Sequence, residues 1–377
     1  MNSWKIIKLG DALKVKSGRN QKAVECKDGK YQILGTGGEI GRTNSYLCDR
    51  PSVLVGRKGT IDRPMYKDEP FWTVDTLFYT EIRDTFLPKY IYYLFTTINW
   101  RRYNEASGVP SLSASIIEGI KVRVPDLEVQ QKIVEVLDSA ALLYNYYVEQ
   151  SKIETQKLKA LKYELFYNTN KAGDVVKLKD LFVFKTGYTP SKNNAAYWDG
   201  GTIPWFRMED IRKNGRILND SIQHVTRAAI KGKTFPANSI IMSTTATIGE
   251  YALLTSDSLA NQRFTFLTRK ANCCRRIDIT YFYHYCSILS EWCKRNVNSG
   301  GLLAVDMKAF ENYKMKLPAI DEQEKIAKIL SMQEQKIDYL NKMANCVQKQ
   351  YKYLLNHLIN GDLDLSRIQL EEKDKSC

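Results

Sequence analysis

The chain is poor in the residues that most often carry chemistry. Its 377 residues include only 3 histidines, at 224, 284 and 357, far from one another, and the 8 cysteines form no Cys-x-x-Cys pair. That argues against a zinc site and is compatible with reduced thiols in a cytosolic protein. No run of eighteen apolar residues occurs, which excludes an ordinary membrane-spanning helix. The first residues, MNSWKIIKLGDALKV, lack the apolar core and small-residue cleavage site of a secretory signal, so a cytoplasmic location is expected. Acidic residues are short as well: 42 against 56 lysines and arginines, a net charge of +14. A polyanionic partner is one reason for such an excess.

The charge is unevenly placed. Residues 1–125 carry 20 basic and 13 acidic side chains and residues 171–317 carry 22 and 12, whereas residues 126–170 carry 5 and 7 and residues 318–377 carry 9 and 10. The two basic blocks begin alike. IIKLGDALKVKSGR from Ile6 resembles VVKLKDLFVFKTGY from Val175, with Lys8/Lys177, Leu9/Leu178, Asp11/Asp180, Lys16/Lys185 and Gly18/Gly187 identical. They also end alike. IKVRVPDLEVQQKIVEVL from Ile120 matches YKMKLPAIDEQEKIAKIL from Tyr313, sharing Pro125/Pro318, Gln130/Gln323, Ile133/Ile326 and Leu137/Leu330. Between these ends, Gly59-Thr60-Ile61 matches Ala246-Thr247-Ile248. Two long copies indicate a duplicated domain-plus-tail unit rather than a solenoid.

The tails have helical spacing. Ile133, Leu137, Ala140, Tyr144, Tyr147, Ser151, Glu154, Leu158, Leu161 and Leu165 step by fours and threes, as do Ile326, Leu330, Gln333, Ile337, Leu340, Ala344, Val347, Tyr351, Leu354 and Leu358. That is a heptad seam in both copies, over helices of about forty residues, or roughly 60 Å. Pro125 and Pro318 mark the helix starts, Asp321 with Glu324 has the spacing of a capping box, and the segment from Asn168 to Gly173 and Gly361 mark the ends. Connectivity makes the second helix run back along the first. The expected architecture is α/β (α+β): two globular blocks at 1–125 and 171–317, with mixed twisted sheets, joined by antiparallel coiled-coil helices at 126–170 and 318–361 in a pseudo-twofold repeat, with a flexible tail at 362–377.

Within the blocks, β-prone runs such as SVLVG and NSIIMSTTATIG alternate with glycine- and asparagine-marked turns, and the aromatic runs 89–103 and 279–295 are read as helices that pack into cores. Catalytic patterns are missing. There is no methyltransferase Asn/Asp-Pro-Pro-aromatic loop, no Gly-x-Ser-x-Gly elbow and no paired carboxylates, and Pro125-Asp126 lacks the following Asp/Glu-x-Lys of a nuclease. LGTGGEIGRT at 34–43 has the wrong spacing for either a phosphate loop or a dinucleotide fingerprint, and is read as a turn.

The order of block, Pro-headed long helix, block and second such helix resembles the specificity (S) subunit of type I restriction-modification systems. The resemblance is carried by SGVPSLSASIIEGIKVRVPDLEVQQKIVEVL at 107–137, LPAIDEQEKIAKIL at 317–330, the block starts KLGDALKVKSG and KLKDLFVFKTG, and GGTIPWFRMEDI at 200–211. Val129 departs from it, standing where a glutamate is common. The resemblance implies a non-catalytic reader of a bipartite, asymmetric double-stranded DNA site, with one target-recognition domain per half-site. Two methyltransferase (M) subunits would bring S-adenosylmethionine, a restriction (R) subunit using ATP and magnesium would be a further partner, and no cofactor is expected in this chain. Candidate DNA contacts lie on glycine-marked loops: Lys16, Arg19, Arg42, Arg57 and Lys58 in the first block, and Lys185, Lys192, Arg207, Arg216 and Arg263 in the second. Thr244, Thr245 and the run Asn261 to Arg263 are weaker candidates for base edges. Two alternatives stay open on sequence alone: a coiled-coil scaffold with basic nucleic-acid-binding domains, and a stand-alone enzyme with a diverged site.

Overall fold

A computed structural model describes residues 4–168, 173–298 and 303–363. The chain divides into two compact units, Met1–Gln150 with Leu340–Cys377, and Ser151–Tyr339. The expected tail falls almost wholly on residues 364–377, which lie outside the described residues.

Both blocks close on themselves in the same way. In the first unit strand Lys5–Lys8 pairs antiparallel with Lys121–Val124, and in the second Asp174–Lys177 pairs with Lys314–Leu317. One helical turn follows each first strand. It is held by a carboxylate: Lys8 N–H donates to Asp11 at 2.9 Å and Lys177 N–H to Asp180 at 3.1 Å, which accounts for the repeated Lys and Asp.

The sheets repeat as well. The first unit has a four-stranded sheet in the order Leu13–Ser17, Leu77–Ile82, Ser52–Gly56, Met65–Lys67, and a three-stranded sheet in the order Gly38–Thr43, Tyr31–Gly35, Phe71–Thr73. The second unit has Phe182–Thr186, Phe264–Arg269, Ser239–Ser243 and Tyr251–Leu254 in the matching order, extended by Ile217–Leu218, and a three-stranded sheet of His224–Val225, Ile203–Phe206 and Leu259–Ala260. In both three-stranded sheets the last pair is parallel. Gly18 and Gly187 leave the sheets at equivalent points. A Cβ there would lie 2.1 Å from Val74 O or 2.4 Å from Ala260 O, so only glycine fits.

One aromatic helix backs each sheet. Tyr90, Ile91 and Phe95 of Pro88–Thr97, and Tyr281, Phe282 and Leu289 of Ile279–Arg295, are buried, the aliphatic and phenylalanine side chains each contributing about 1.5–3 kcal/mol by burial. These runs are core, as their helical spacing suggests. The LGTGGEIGRT stretch is a tight hairpin between strands Tyr31–Gly35 and Gly38–Thr43, with Gly38 at φ 113°.

The long helices are Leu127–Tyr163, which runs into a π-helical turn at Glu164–Asn168, and Ile320–Asn360, which ends at Gly361 with φ 76°. Every predicted seam position on both helices is buried or half-buried. The pair is antiparallel within each unit. In the first, Val136 and Leu137 share a core with Leu358 and Ile359, and Gln348 donates to the Tyr144 hydroxyl at 3.4 Å. In the second, Leu158, Leu161 and Leu165 pack on a core holding Ile326 and Leu330, and Glu154 accepts from Gln333 and Lys336, each at 2.6 Å.

The helix heads differ from the capping expectation. The second helix already begins at Ile320, so Asp321 sits inside its first turn and does not cap it; in the first helix the cap is Asp126, which accepts the Val129 N–H at 3.1 Å. Val129 is buried in the first unit's core. The glutamines repeated in the two copies, Gln130 and Gln323, have a clear role. Gln130 donates to Pro125 O at 3.0 Å and accepts the Leu87 N–H at 3.0 Å, so it ties the long helix to the start of the aromatic helix. In the second unit Gln323 donates to Pro318 O and Arg276 O and accepts from Asp278 N–H, all at 2.8 Å. No helix among the described residues is long and apolar enough to cross a membrane.

Candidate nucleic-acid interface

The strands Ser52–Gly56 and Ser239–Ser243 end in loops built on one backbone plan. In the first block Arg57 N–H donates to Thr76 O at 2.8 Å, Leu112 N–H donates to Arg57 O at 2.9 Å, and Lys58 bridges to Ser111. In the second block Thr244 N–H donates to Arg263 O at 3.0 Å, Val305 N–H donates to Thr244 O at 2.9 Å, and Thr245 bridges to Ala304. Three segments distant in sequence thus meet at one place in each unit. The loop apices, Gly59 at φ 96° and Ala246 at φ 62°, both have left-handed backbone.

The side chains on this shared frame are exchanged. Where the first block has Arg57 hydrogen-bonded through the backbone to Thr76, the second has Thr244 bonded to Arg263. Each block therefore has one exposed arginine at this join, Arg57 in the first and Arg263 in the second, carried by opposite segments. In the first block the loops line a groove of about 800 Å³ with Arg57, Lys58, Ser17, Asp75 and Ser111 on its walls. Arg57 lies over the Phe78 ring at 5.9 Å and donates to Asp75 O at 3.4 Å, so its guanidinium is held at the groove rather than free to swing. The second block has a groove of about 740 Å³ lined by Arg212, Arg216, Ala246, Ile248, Lys294 and Leu303, among others.

The other sequence candidates are dispersed. Lys16 pairs with Glu81 at 3.1 Å, whereas Lys185, at the equivalent strand position, is exposed and makes no ion pair among the described residues. Arg19 is exposed, next to Gly18, its carbonyl accepting the Trp72 indole N–H at 2.9 Å. Arg42 is turned along its own hairpin to Glu39 at 3.0 Å. Arg216 stacks over Tyr251 at 4.6 Å and pairs with Glu250 at 3.0 Å. Lys192 sits over Trp198 at 4.1 Å and Trp205 at 5.0 Å, and Arg207 joins the same aromatic cluster while pairing with Glu209 at 2.9 Å. Thr244 is buried, and its hydroxyl is 3.0 Å from that of Thr265. It holds the loop from beneath, and Thr245 is the half-exposed member of the pair.

Sequence reasoning passed over Arg212, Lys294 and Ala246, which the fold brings to the second groove. The match of Gly59-Thr60-Ile61 to Ala246-Thr247-Ile248 was the available signal. It marked equivalent loops without showing that they face grooves. Among the described residues no group of three His, Cys, Asp or Glu side chains is placed to hold a metal ion.

Residues 1–163 and 170–349 each match the family model described as "Type I restriction modification DNA specificity domain". The chain belongs to this family. Among curated members it is 40% identical over 198 residues to the EcoprrI type I restriction enzyme specificity subunit of Escherichia coli, covering 48% of this chain and 49% of that protein. It is 27% identical over 288 residues to the EcoR124I/EcoR124II specificity subunit of Escherichia coli, covering 71% and 69%. The chain thus spans about half the length of the first of these relatives. Two solved structures share the fold. The S subunit of a type I restriction-modification system from M. genitalium superposes with a TM-score of 0.66 at 15% identity over 95% of this chain and 96% of that one; the HsdS subunit from Thermoanaerobacter tengcongensis gives 0.50 at 13% identity over 96% and 97%.

Proposed function

We propose that the chain is the sequence-reading subunit of a type I restriction-modification complex. Each block reads one half of a bipartite double-stranded DNA site, and the long helices set the spacer and carry two methyltransferase subunits, with restriction subunits as further partners. The chain itself is non-catalytic and works in the cytoplasm. S-adenosylmethionine, ATP and magnesium belong to the partners.

The observation that carries this reading is the pair of loop clusters. One backbone frame, bonded in the same way in both units, presents Arg57 and Lys58 in one block and Thr245 and Arg263 in the other, so two related surfaces can read two unlike sequences. The basic excess of both blocks supplies the salt-dependent attraction to phosphates that any such reader needs. A fixed spacing between two reading surfaces follows the logic of dimeric repressors, whose half-sites lie near multiples of ~34 Å.

The test is reconstitution with a methyltransferase subunit encoded beside this chain, followed by methylome sequencing. A methylated motif in two unlike parts separated by a constant spacer is the expected result. An assembled complex that methylates no bipartite motif overturns the proposal.

A further inference from the structure

Ala246 stands at a loop apex with φ 62°, a backbone conformation that glycine adopts freely and an L side chain adopts under strain. In the first block the equivalent apex is Gly59 at φ 96°. The loop therefore needs the conformation but not the methyl group. Strained residues of this kind persist where the surrounding structure imposes the conformation, and they cluster at ligand-binding sites.

Its surroundings bear on what its methyl group meets. Ala246 is exposed on the wall of the second groove, with the apolar side chains of Ile248, Val297 and Leu303, the last 58% exposed; Arg212, Lys294 and Arg216, the last paired with Glu250 at 3.0 Å, are on the same walls, so cations outnumber the one carboxylate. Thr244 and Thr245 replace Arg57 and Lys58 of the other block, so the loop itself carries no charge. Cations alone would serve a phosphate. An apolar wall between cations matches a polyanion that also presents an apolar group, and on the base edges of duplex DNA that group is the 5-methyl of thymine in the major groove.

We infer that Ala246 is a specificity-determining residue, its methyl group packing on the 5-methyl of a thymine in the half-site read by the second block. This rests on the DNA-reading function proposed above. Gly59 offers no such contact, so the preference belongs to one half-site.

The experiment uses the chain assembled with its methyltransferase subunits and duplexes carrying the methylated motif, with deoxyuridine replacing thymidine at single positions. The unaltered complex is expected to lose about four-fold in affinity at one position of the second half-site, the value of one buried methyl. Ala246→Gly, which relieves the backbone strain, is expected to bind the thymidine and deoxyuridine duplexes equally at that position. A second half-site without thymine on either strand, indifference of the unaltered complex to every replacement there, or a thymidine preference that survives in Ala246→Gly each overturns the inference. Absence of any bipartite motif shows itself earlier, in the methylome, and overturns the underlying function instead.

Discussion

The side-chain oxygen of Gln323 accepts the main-chain N–H of Asp278 at 2.8 Å, and with Gln323 fully buried this bond joins the head of a long helix to the first turn of the aromatic helix. Gln130 and Leu87 form the same join at 3.0 Å in the first unit. Replacing Gln323 with alanine strands the Asp278 N–H and two carbonyls in the interior. The expected cost is about 3 kcal/mol, read by urea denaturation. Gln130→Ala, which breaks two hydrogen bonds rather than three, should cost less. A loss below about 0.5 kcal/mol for Gln323→Ala contradicts the structural role, since that is the range of a neutral surface change.

Glu334 makes the second unit sensitive to acid. Burial pushes its carboxyl up, but the imidazole of His284 and the Lys162 ammonium, 2.9 Å away, outweigh this and hold it at about 2 against an ordinary 4.5. Because the folded value is depressed, the stabilisation is complete above pH 4.5 and drains away as the pH falls toward 2. Glu334→Gln is expected to lose about 3 kcal/mol at pH 7 and to converge on the parent near pH 2. A gap between the two that stays constant across that range removes the carboxylate as its source.

Arg57 and Arg263 occupy exchanged places on the same frame. Alanine at either is expected to weaken DNA binding and, where the contact is to phosphate, to flatten the slope of log affinity against log salt by about one. The paired change Arg57→Thr with Thr76→Arg keeps the net charge and moves the arginine to the strand used in the second block. Methylome sequencing should show a first half-site with altered bases, the second half unchanged. An unaltered motif in all three variants, with unaltered salt slopes, places both arginines outside the interface.

The strained apex has a thermodynamic signature apart from DNA. Ala246→Gly is expected to raise the stability of the second unit, by about 1 kcal/mol, because relief of the left-handed backbone exceeds the added freedom of the unfolded chain. Thermal unfolding of the free chain reads this. Destabilisation by a similar amount would mean that the methyl group is retained for packing alone.

Deleting one heptad from the first long helix keeps its seam in phase with the second helix while shortening it by two turns. The expected result is a changed spacer in the methylated motif or loss of assembly with the methyltransferase subunits. Assembly with an unchanged spacer argues against the helices as the ruler.

Much of this was legible in the chain. Heptad spacing located both long helices, because a side chain facing a partner helix must recur every three or four residues, and Ile133, Leu137, Ile326 and Leu330 are indeed wholly or almost wholly buried. Helical periodicity likewise identified the aromatic runs as core. The site was much less legible. Arg42 looked free on a glycine turn but is paired with Glu39, and Thr244 looked like a surface hydroxyl but lies buried against Thr265. The first outcome depends on how the Gly38–Thr43 strand turns its side chains along its own edge, and the second on which residue a separate strand brings opposite Thr244, which local spacing does not record.

By itself the sequence determined the duplication, the two basic blocks, the helical tails and their antiparallel course, since these follow from composition, periodicity and connectivity along the chain. Only the tertiary structure decided that residues as distant as 57, 76 and 112, or 244, 263 and 305, meet in one loop cluster. It also decided that glycine and alanine share a left-handed apex and that arginine and threonine trade places around it. Those arrangements arise from backbone hydrogen bonds between segments far apart in sequence, whose pairing no local pattern records.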